Sequence, residues 1–248
     1  MRTFLIACCA LLIAAKAVAS EDVASPRPAY NQVVAQFEAV AFGSEFGPAH
    51  DQVWRWRSAV GFAVTADDRG DAVTLRRQLE PHMTAITRLT GIAFDYRPDR
   101  DQADMEAVLT DRAAFVDWSR RWPLAHSRYA AATAISACMA FLSIRNDDIV
   151  WAGLLYGADI PDRLLRDCLL EELVQAMGLP NDACHYRPSL FCEDDLVDAL
   201  DGADAVLLQT LYDPRLRPGM SRQAAMPIAR TIIRELWPGP RTAPPASN

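Results

Sequence analysis

Stretches with a helical apolar period alternate along this chain with short continuous runs of branched and aromatic residues. Residues 71 to 90 place Leu75, Leu79, Met83, Ile86 and Leu89 at helical spacing, with Gly91 as the stop signal. Pro81 inside that segment should kink the helix or mark its true start. "NQVVAQFEAVAF" fits helix or strand, and "VWRWRSAVGFAVTA" reads as a strand rich in Val, Trp and Phe. Four strand-like runs follow: "IAFDY", "MEAVLT", "ACMAFLSI" and "IVWAGLLY". The last two flank Arg145-Asn146-Asp147-Asp148, a spacing that suits a hairpin. Asp159 and Pro161 then open a helix at about 161–178, which Gly178 closes and Pro180 forbids from continuing. Two more helices are expected near 202–212, with Asp201 and Asp204 placed like a capping box, and near 222–236, with Ser221 as N-cap. The pattern predicts an α+β fold without internal repeats.

Both ends of the chain read differently. The first residues run from Arg2 through an apolar stretch to Ala17-Val18-Ala19, a small-x-small pattern that predicts a cleaved secretory signal peptide over 1–19. The run is short for a bilayer and broken by Lys16, and no second apolar span accompanies it, so no transmembrane segment is expected in the mature chain. Leu5-Ile6-Ala7-Cys8 resembles a lipoprotein processing box but leaves almost no hydrophobic region before the cysteine. Cleavage is therefore the favoured reading, and the expected location is the periplasm or the medium. Residues 20–34 read as a flexible leader, 35–236 as one domain and 237–248 as a disordered tail. A chain of 248 residues that is 51% apolar is long enough for one substantial core.

Charge and cysteine content narrow the chemistry. The net charge of −7 becomes more acidic once Arg2 and Lys16 leave, which argues against a nucleic-acid partner. Lys16 is the only lysine, so Schiff-base and Ser-Lys mechanisms are excluded in the mature chain. Cys8 and Cys9 leave with the signal peptide, and Cys138, Cys168, Cys184 and Cys192 remain. An even count in an exported protein predicts two disulfides. Three pairings are open; the short loop between Cys184 and Cys192 closes at little entropic cost and favours that pair, which leaves Cys138 with Cys168.

The helix at 161–178 raises the functional question. Leu169, Leu170, Leu173 and Met177 occupy one side, while Leu164, Cys168, Glu171, Glu172 and Gln175 gather within a sector of roughly 100°. Carboxylates buried there need partners, or their pKa values rise. Glu171-Glu172-x-x-Gln175-x-x-Gly178-Leu179-x-Asn181 sits in the frame of the extended zincin motif H-E-x-x-H-x-x-G-x-x-H. "PSLF" at 188–191 looks like a Met-turn with Phe191 in the methionine's place, and "DGADAVLLQTLY" is similar to the zincin closing helix. "DCLLEELVQAMGLPND" with "LYDPRLRPGM" resembles, over roughly 35–236, a family of exported bacterial proteins, some of them described as lipoproteins, defined as a domain of unknown function and grouped with zincin-like peptidases.

That resemblance implies a zincin-like domain with a mixed, mostly antiparallel-edged sheet packed on helices. Glu171, Gln175 and Asn181 stand where the zinc ligands would be, a poor donor set for zinc, so neither metal nor cofactor is expected. The resulting expectation is a non-catalytic binding protein of the envelope that takes a peptide or another envelope protein along an edge strand, with Glu171, Gln175, Asn181 and Asp182 as the polar cluster of its cleft. The alternative is a hydrolase in which Glu172 remains the general base. His185, in the loop after the motif, is within conceivable reach of Glu171. Glu171 and Glu172 as an acid and base pair are disfavoured because adjacent helical residues point about 100° apart. Asp195, Asp198, Asp201 and Asp204 lack the glycine placement of an EF-hand. Of Trp54, Arg55 and Trp56, one tryptophan is expected in the core.

Overall fold

The computed structural model describes residues 27–45, 47–67, 71–122 and 136–238. The expected signal peptide, the first part of the leader and nearly all of the tail lie outside the described residues. Five strands form one sheet: β1 (Val60–Ala66), β2 (Phe94–Tyr96), β3 (Met105–Thr110), β4 (Cys138–Arg145) and β5 (Asp148–Gly157). Their spatial order is β2-β1-β3-β5-β4, with β2, β1, β3 and β5 parallel and β4 antiparallel to β5. The sheet is thus mostly parallel, and its antiparallel character is confined to the β4 edge. Central β3 is buried along its whole length, as a parallel strand covered on both faces should be.

Six helices accompany the sheet among the described residues: α1 (Tyr30–Phe42), α2 (Ala72–Thr90), α3 (Phe115–Ser119), α4 (Asp162–Ala176), α5 (Gly202–Tyr212) and α6 (Arg222–Leu236). The ambiguous "NQVVAQFEAVAF" is helix α1, which begins at Tyr30 inside the expected leader and buries Val33, Val34, Phe37, Val40 and Ala41. Its first turn is tied by the Ala29 N–H donating to Gln32 Oε1 at 2.8 Å. Pro81 does not start α2; Asp71 does, accepting from the N–H groups of Val73 and Thr74, and Gly91 ends it in the left-handed region at φ 76°.

Two expectations are corrected. The run from Val53 to Ser58 is not part of a strand, and β1 begins only at Val60. The earlier residues cross the hairpin and α6 instead, joined by single bridges from Arg55 to Asp148 and from Gln52 to Ser221. Asp201 makes no side-chain cap on α5, and Asp204 turns inward to the loop before it. The hairpin stands where expected, with Asn146 and Asp147 both at positive φ, as a two-residue turn matched to strand twist requires.

The two faces of the sheet carry different cores. The larger unites α1, α2, α4, α5 and α6 with residues such as Phe62, Met105, Leu154 and Tyr156. The smaller lies on the opposite face, where Val108, Met139, Phe141 and Leu155 meet Phe115, Trp118 and Trp122. Along β4 the alternation sends Met139 and Phe141 to that smaller core and leaves Ala140, Leu142 and Ile144 on the helical side. Helix α4 packs directly against β4 and β5, which brings its polar sector to the sheet edge. No helix among the described residues is long and apolar enough to cross a membrane.

Candidate functional site

Helix α4 is fastened at its middle and at its end. Midway along it, Cys168 is disulfide-bonded to Cys138 on β4, with a Cα separation of 5.9 Å. At its end the Ala176 carbonyl accepts from the Trp56 indole N–H at 2.9 Å. Gly178 then reverses the chain at φ 111°, where a Cβ would stand 2.2 Å from the Trp54 carbonyl oxygen, so both conformation and proximity require glycine. The expected C-terminal stop is also the point where the segment before β1 docks. Of the three residues at 54–56, Trp56 is the one buried, and Arg55 donates to the Leu211 and Asp213 carbonyls.

Between these fastenings the carboxyls assemble. Glu172 is buried, 5% exposed, and the Ala140 backbone of β4 donates to its carboxylate. Its Oε2 has no partner. Carboxylate oxygens of Glu171 and Glu172 and the Cys138 sulfur lie within 4.8 Å of one another, the sulfur being held in the disulfide. Glu171 does not pair with Glu172; its side chain hydrogen-bonds to Asp182, whose Oδ1 also accepts from Gln175 Nε2 at 2.8 Å. Asn181 turns away, donating from Nδ2 to the carbonyls of Ala39 at 3.1 Å and Asp182 at 2.8 Å. Asp182 therefore joins the cluster, whereas the Asn181 amide secures the loop to α1. His185 is exposed and is fixed through its backbone to Gln36 and Gln32 of α1.

Two groups that sequence reasoning missed complete the site. The loop after α1 carries Glu45, whose N–H donates to the Pro180 carbonyl at 3.3 Å, and His50, whose Nδ1 is 2.8 Å from the Gln52 carbonyl. A carbonyl only accepts, so Nδ1 holds the proton and Nε2 is left as a bare acceptor, buried and without a partner. The His50 ring stacks on Trp54 with centroids 3.4 Å apart. This loop, Trp54, Ala140, Leu142 and Ile144 of β4, Gln175 and Pro180 enclose a cleft of about 340 Å³. Neither Glu45 nor His50 stands in a periodic pattern, so no local feature of the sequence marks them.

The electrostatics of the cleft are one-sided. Burial, then Asp182 and Glu193, pushes Glu45 up from 4.5 to about 8. Burial raises Glu171 well above the ordinary range, reinforced by Asp182, Asp167 and Glu45. Burial likewise raises Glu172, with Glu171, Glu45 and Asp182 adding to it against the Ala140 hydrogen bond. Asp182 rises from 3.8 to about 6 through burial, although Gln175 and Glu171 bond to it. The main neighbouring charges felt by these four carboxyls are all acidic. Behind them the Tyr156 hydroxyl is fully buried without a partner, its pKa raised first by burial and then by Glu172. Burial lowers the pKa of His50 and keeps its ring neutral.

The loop that follows α4 is built to the opposite rule. The Cys184–Cys192 disulfide closes it, as favoured from the spacing. Inside, Asp204 of α5 accepts from the Tyr186 hydroxyl at 2.6 Å, Ser189 Oγ at 2.9 Å and the Leu190 N–H at 2.7 Å. Phe191 is fully buried, and Asp195 accepts from Arg187 and from the Ser189 N–H. Asp195 and Asp204 are thus engaged within this loop, and among the described residues the four aspartates from 195 to 204 form no metal-binding group.

A family model described as "Protein of unknown function (DUF2927)" matches residues 30–231, from the first residue of α1 into α6. The chain belongs to the DUF2927 family. No curated protein matches it. The match takes in every element that builds the cleft, so in this DUF2927 chain the carboxyl cluster, the edge strand and the loop carrying Glu45 fall within the family domain.

Proposed function

We propose that this DUF2927 chain is an exported, zincin-like binding protein of the cell envelope that holds an extended peptide in the cleft beside β4. One observation carries the reading. The cleft has side chains of the edge strand as one wall and Gln175 of α4 in its lining, and the side chains of the zincin frame are bonded within the protein: Gln175 and Glu171 to Asp182, Glu172 to Ala140, Asn181 to Ala39. An edge strand offers main-chain pairing to an extended segment, and Ala140, Leu142 and Ile144 supply an apolar wall for alternate side chains. The antiparallel edge on a mostly parallel sheet, with the motif helix behind it, supports the zincin-like grouping. Two disulfides support export.

The test is selection from a random peptide library on the mature chain, with elemental analysis of the same preparation. Selected peptides should compete with one another and lose at least tenfold in affinity in a Leu142→Arg variant. Failure to enrich any peptide, or affinity unmoved by Leu142→Arg, would refute the peptide reading. Zinc near one ion per chain would overturn the non-metal reading. A second reading, hydrolysis with Glu172 as general base, draws support from the Glu171–Asp182 carboxyl pair behind Gln175, since two carboxyls that share a proton supply acid and base together. Cleavage of the selected peptides by wild type, lost in Glu172→Gln and Asp182→Asn, would establish it over binding alone.

A further inference from the structure

A cleft backed by crowded carboxyls, with no arginine or lysine among the described residues of its lining, narrows the chemistry of what fills it. Glu45 and Gln175 line it, and behind Gln175 stand Asp182, which accepts from its amide, and Glu171, which hydrogen-bonds to Asp182. Glu172, 95% buried by its 5% exposure, directs an unpartnered oxygen into the same carboxyl group, within 4.8 Å of Glu171. His50 adds a bare ring nitrogen at the cleft wall. Asp167 and Glu193 extend the acidic surroundings, and no arginine is among the main influences on these groups. A buried acceptor without a donor is costly, and a set of them is relieved together by a single ligand with several N–H groups.

We infer that the cleft takes a basic side chain of the bound peptide, with an arginine guanidinium as the best-matched head group. This rests on the peptide reading and names the residue that gives it specificity. The guanidinium presents five donors in a fixed plane, enough for acceptors that approach from different elements, and it stays charged when desolvated. Ala140, Leu142, Pro48 and Pro180 line the cleft above the carboxyls and suit the three-methylene stem, which prefers apolar cover while its head reaches charge. A bare divalent ion would use the same oxygens but would leave this apolar wall without a role.

The experiment compares three extended octapeptides that are identical except for a central arginine, citrulline or norleucine. Citrulline keeps the shape of arginine and removes its charge. Binding to the mature chain is read by calorimetry, with propylguanidinium and calcium chloride titrated separately and thermal melts confirming that each variant is folded. The arginine peptide should bind at least tenfold tighter than the citrulline peptide, and Glu45→Gln and Asp182→Asn should each remove most of that preference. Equal binding of all three peptides would overturn the basic-side-chain assignment and leave the peptide reading standing. Saturable binding of propylguanidinium that is lost in Glu45→Gln, with no peptide bound, would keep the assignment and sink the peptide reading. Calcium binding at one ion per chain with the same dependence on Glu45, and no arginine preference, would replace it with a metal site.

Discussion

Asp204 and Glu172 are almost equally buried, 6% and 5% exposed, yet they sit in opposite kinds of surroundings. Asp204 receives three donors within 2.9 Å, all from the loop that the Cys184–Cys192 disulfide closes. Glu172, beside the Cys138–Cys168 disulfide, receives one backbone donor, keeps one oxygen without a partner and faces three further carboxyls. Burial is the largest influence raising both, and only Asp204 has a full set of donors to resist it. The difference separates a carboxylate that the fold uses from one that the fold tolerates. Groups of the second kind, desolvated and charge-strained in a cleft, mark functional sites more often than structural ones.

The largest effect should come from Asp204. Replacing it with leucine strands the Tyr186 and Ser189 hydroxyls and the Leu190 N–H, each worth about 1–3 kcal/mol, so a loss of roughly 4 kcal/mol or more is expected in urea unfolding. A loss below about 1 kcal/mol would erase the comparison. The disulfides come next. Removing Cys138–Cys168, with 30 residues of separation, should cost about 3–4 kcal/mol by loop entropy, and removing Cys184–Cys192, with 8, about 2–3 kcal/mol. Paired Cys→Ser variants measured side by side check the order.

A smaller effect follows from the raised carboxyls. In the folded state Glu45 at about 8 and Asp182 at about 6 bind protons that the unfolded chain, near 4.5 and 3.8, has already released. Their contribution to stability is therefore complete below about pH 4 and lost as pH rises toward 8. The melting temperature should be higher at pH 5 than at pH 8, and the gap should shrink in a Glu45→Gln, Asp182→Asn double variant. A gap unchanged in that variant would assign the pH dependence elsewhere. The smallest effect belongs to Glu172→Gln, which keeps an acceptor for Ala140 and relieves charge. Stability should stay within about 1 kcal/mol of wild type or rise, whereas a loss of 2 kcal/mol or more would make Glu172 a structural group like Asp204.

The elements legible in the sequence were those that local chemistry specifies. Gly91, Gly178 and Ser221 end or begin helices where their conformational and capping preferences predict, and the hairpin follows from Asn146 and Asp147. What sequence reasoning misread was decided by tertiary contact. The tryptophan-rich run at 53–58 has strand composition, but its residues are held by α4, α5, the loop before α6 and the hairpin rather than by a neighbouring strand of the sheet. Asp204 has the spacing of a capping residue, yet three inward donors outcompete the helix end. The polar sector of α4 was visible from helical spacing as Glu171, Glu172 and Gln175; Asp182, beyond the helix, joins Glu171 and Gln175 through hydrogen bonds, and Asn181 turns away. Glu45 and His50 were not, because they reach the cleft from an aperiodic loop whose course is set by contacts such as the bond from Glu45 to Pro180.

The stack of His50 on Trp54 gives the cleft an optical property. Of the tryptophans among the described residues, Trp54 lines the cleft, and its indole lies face to face with an imidazole at 3.4 Å. A neutral imidazole is a poor electron acceptor for an excited indole, and an imidazolium is a good one. Because burial holds His50 below its usual 6.5, Trp54 should stay emissive down to unusually acid pH and darken only when the ring finally takes a proton. A cation lodged among the carboxyls would postpone that quenching further, so the part of the tryptophan emission that a Trp54→Phe variant lacks reads out, without any label, whether the cleft is filled.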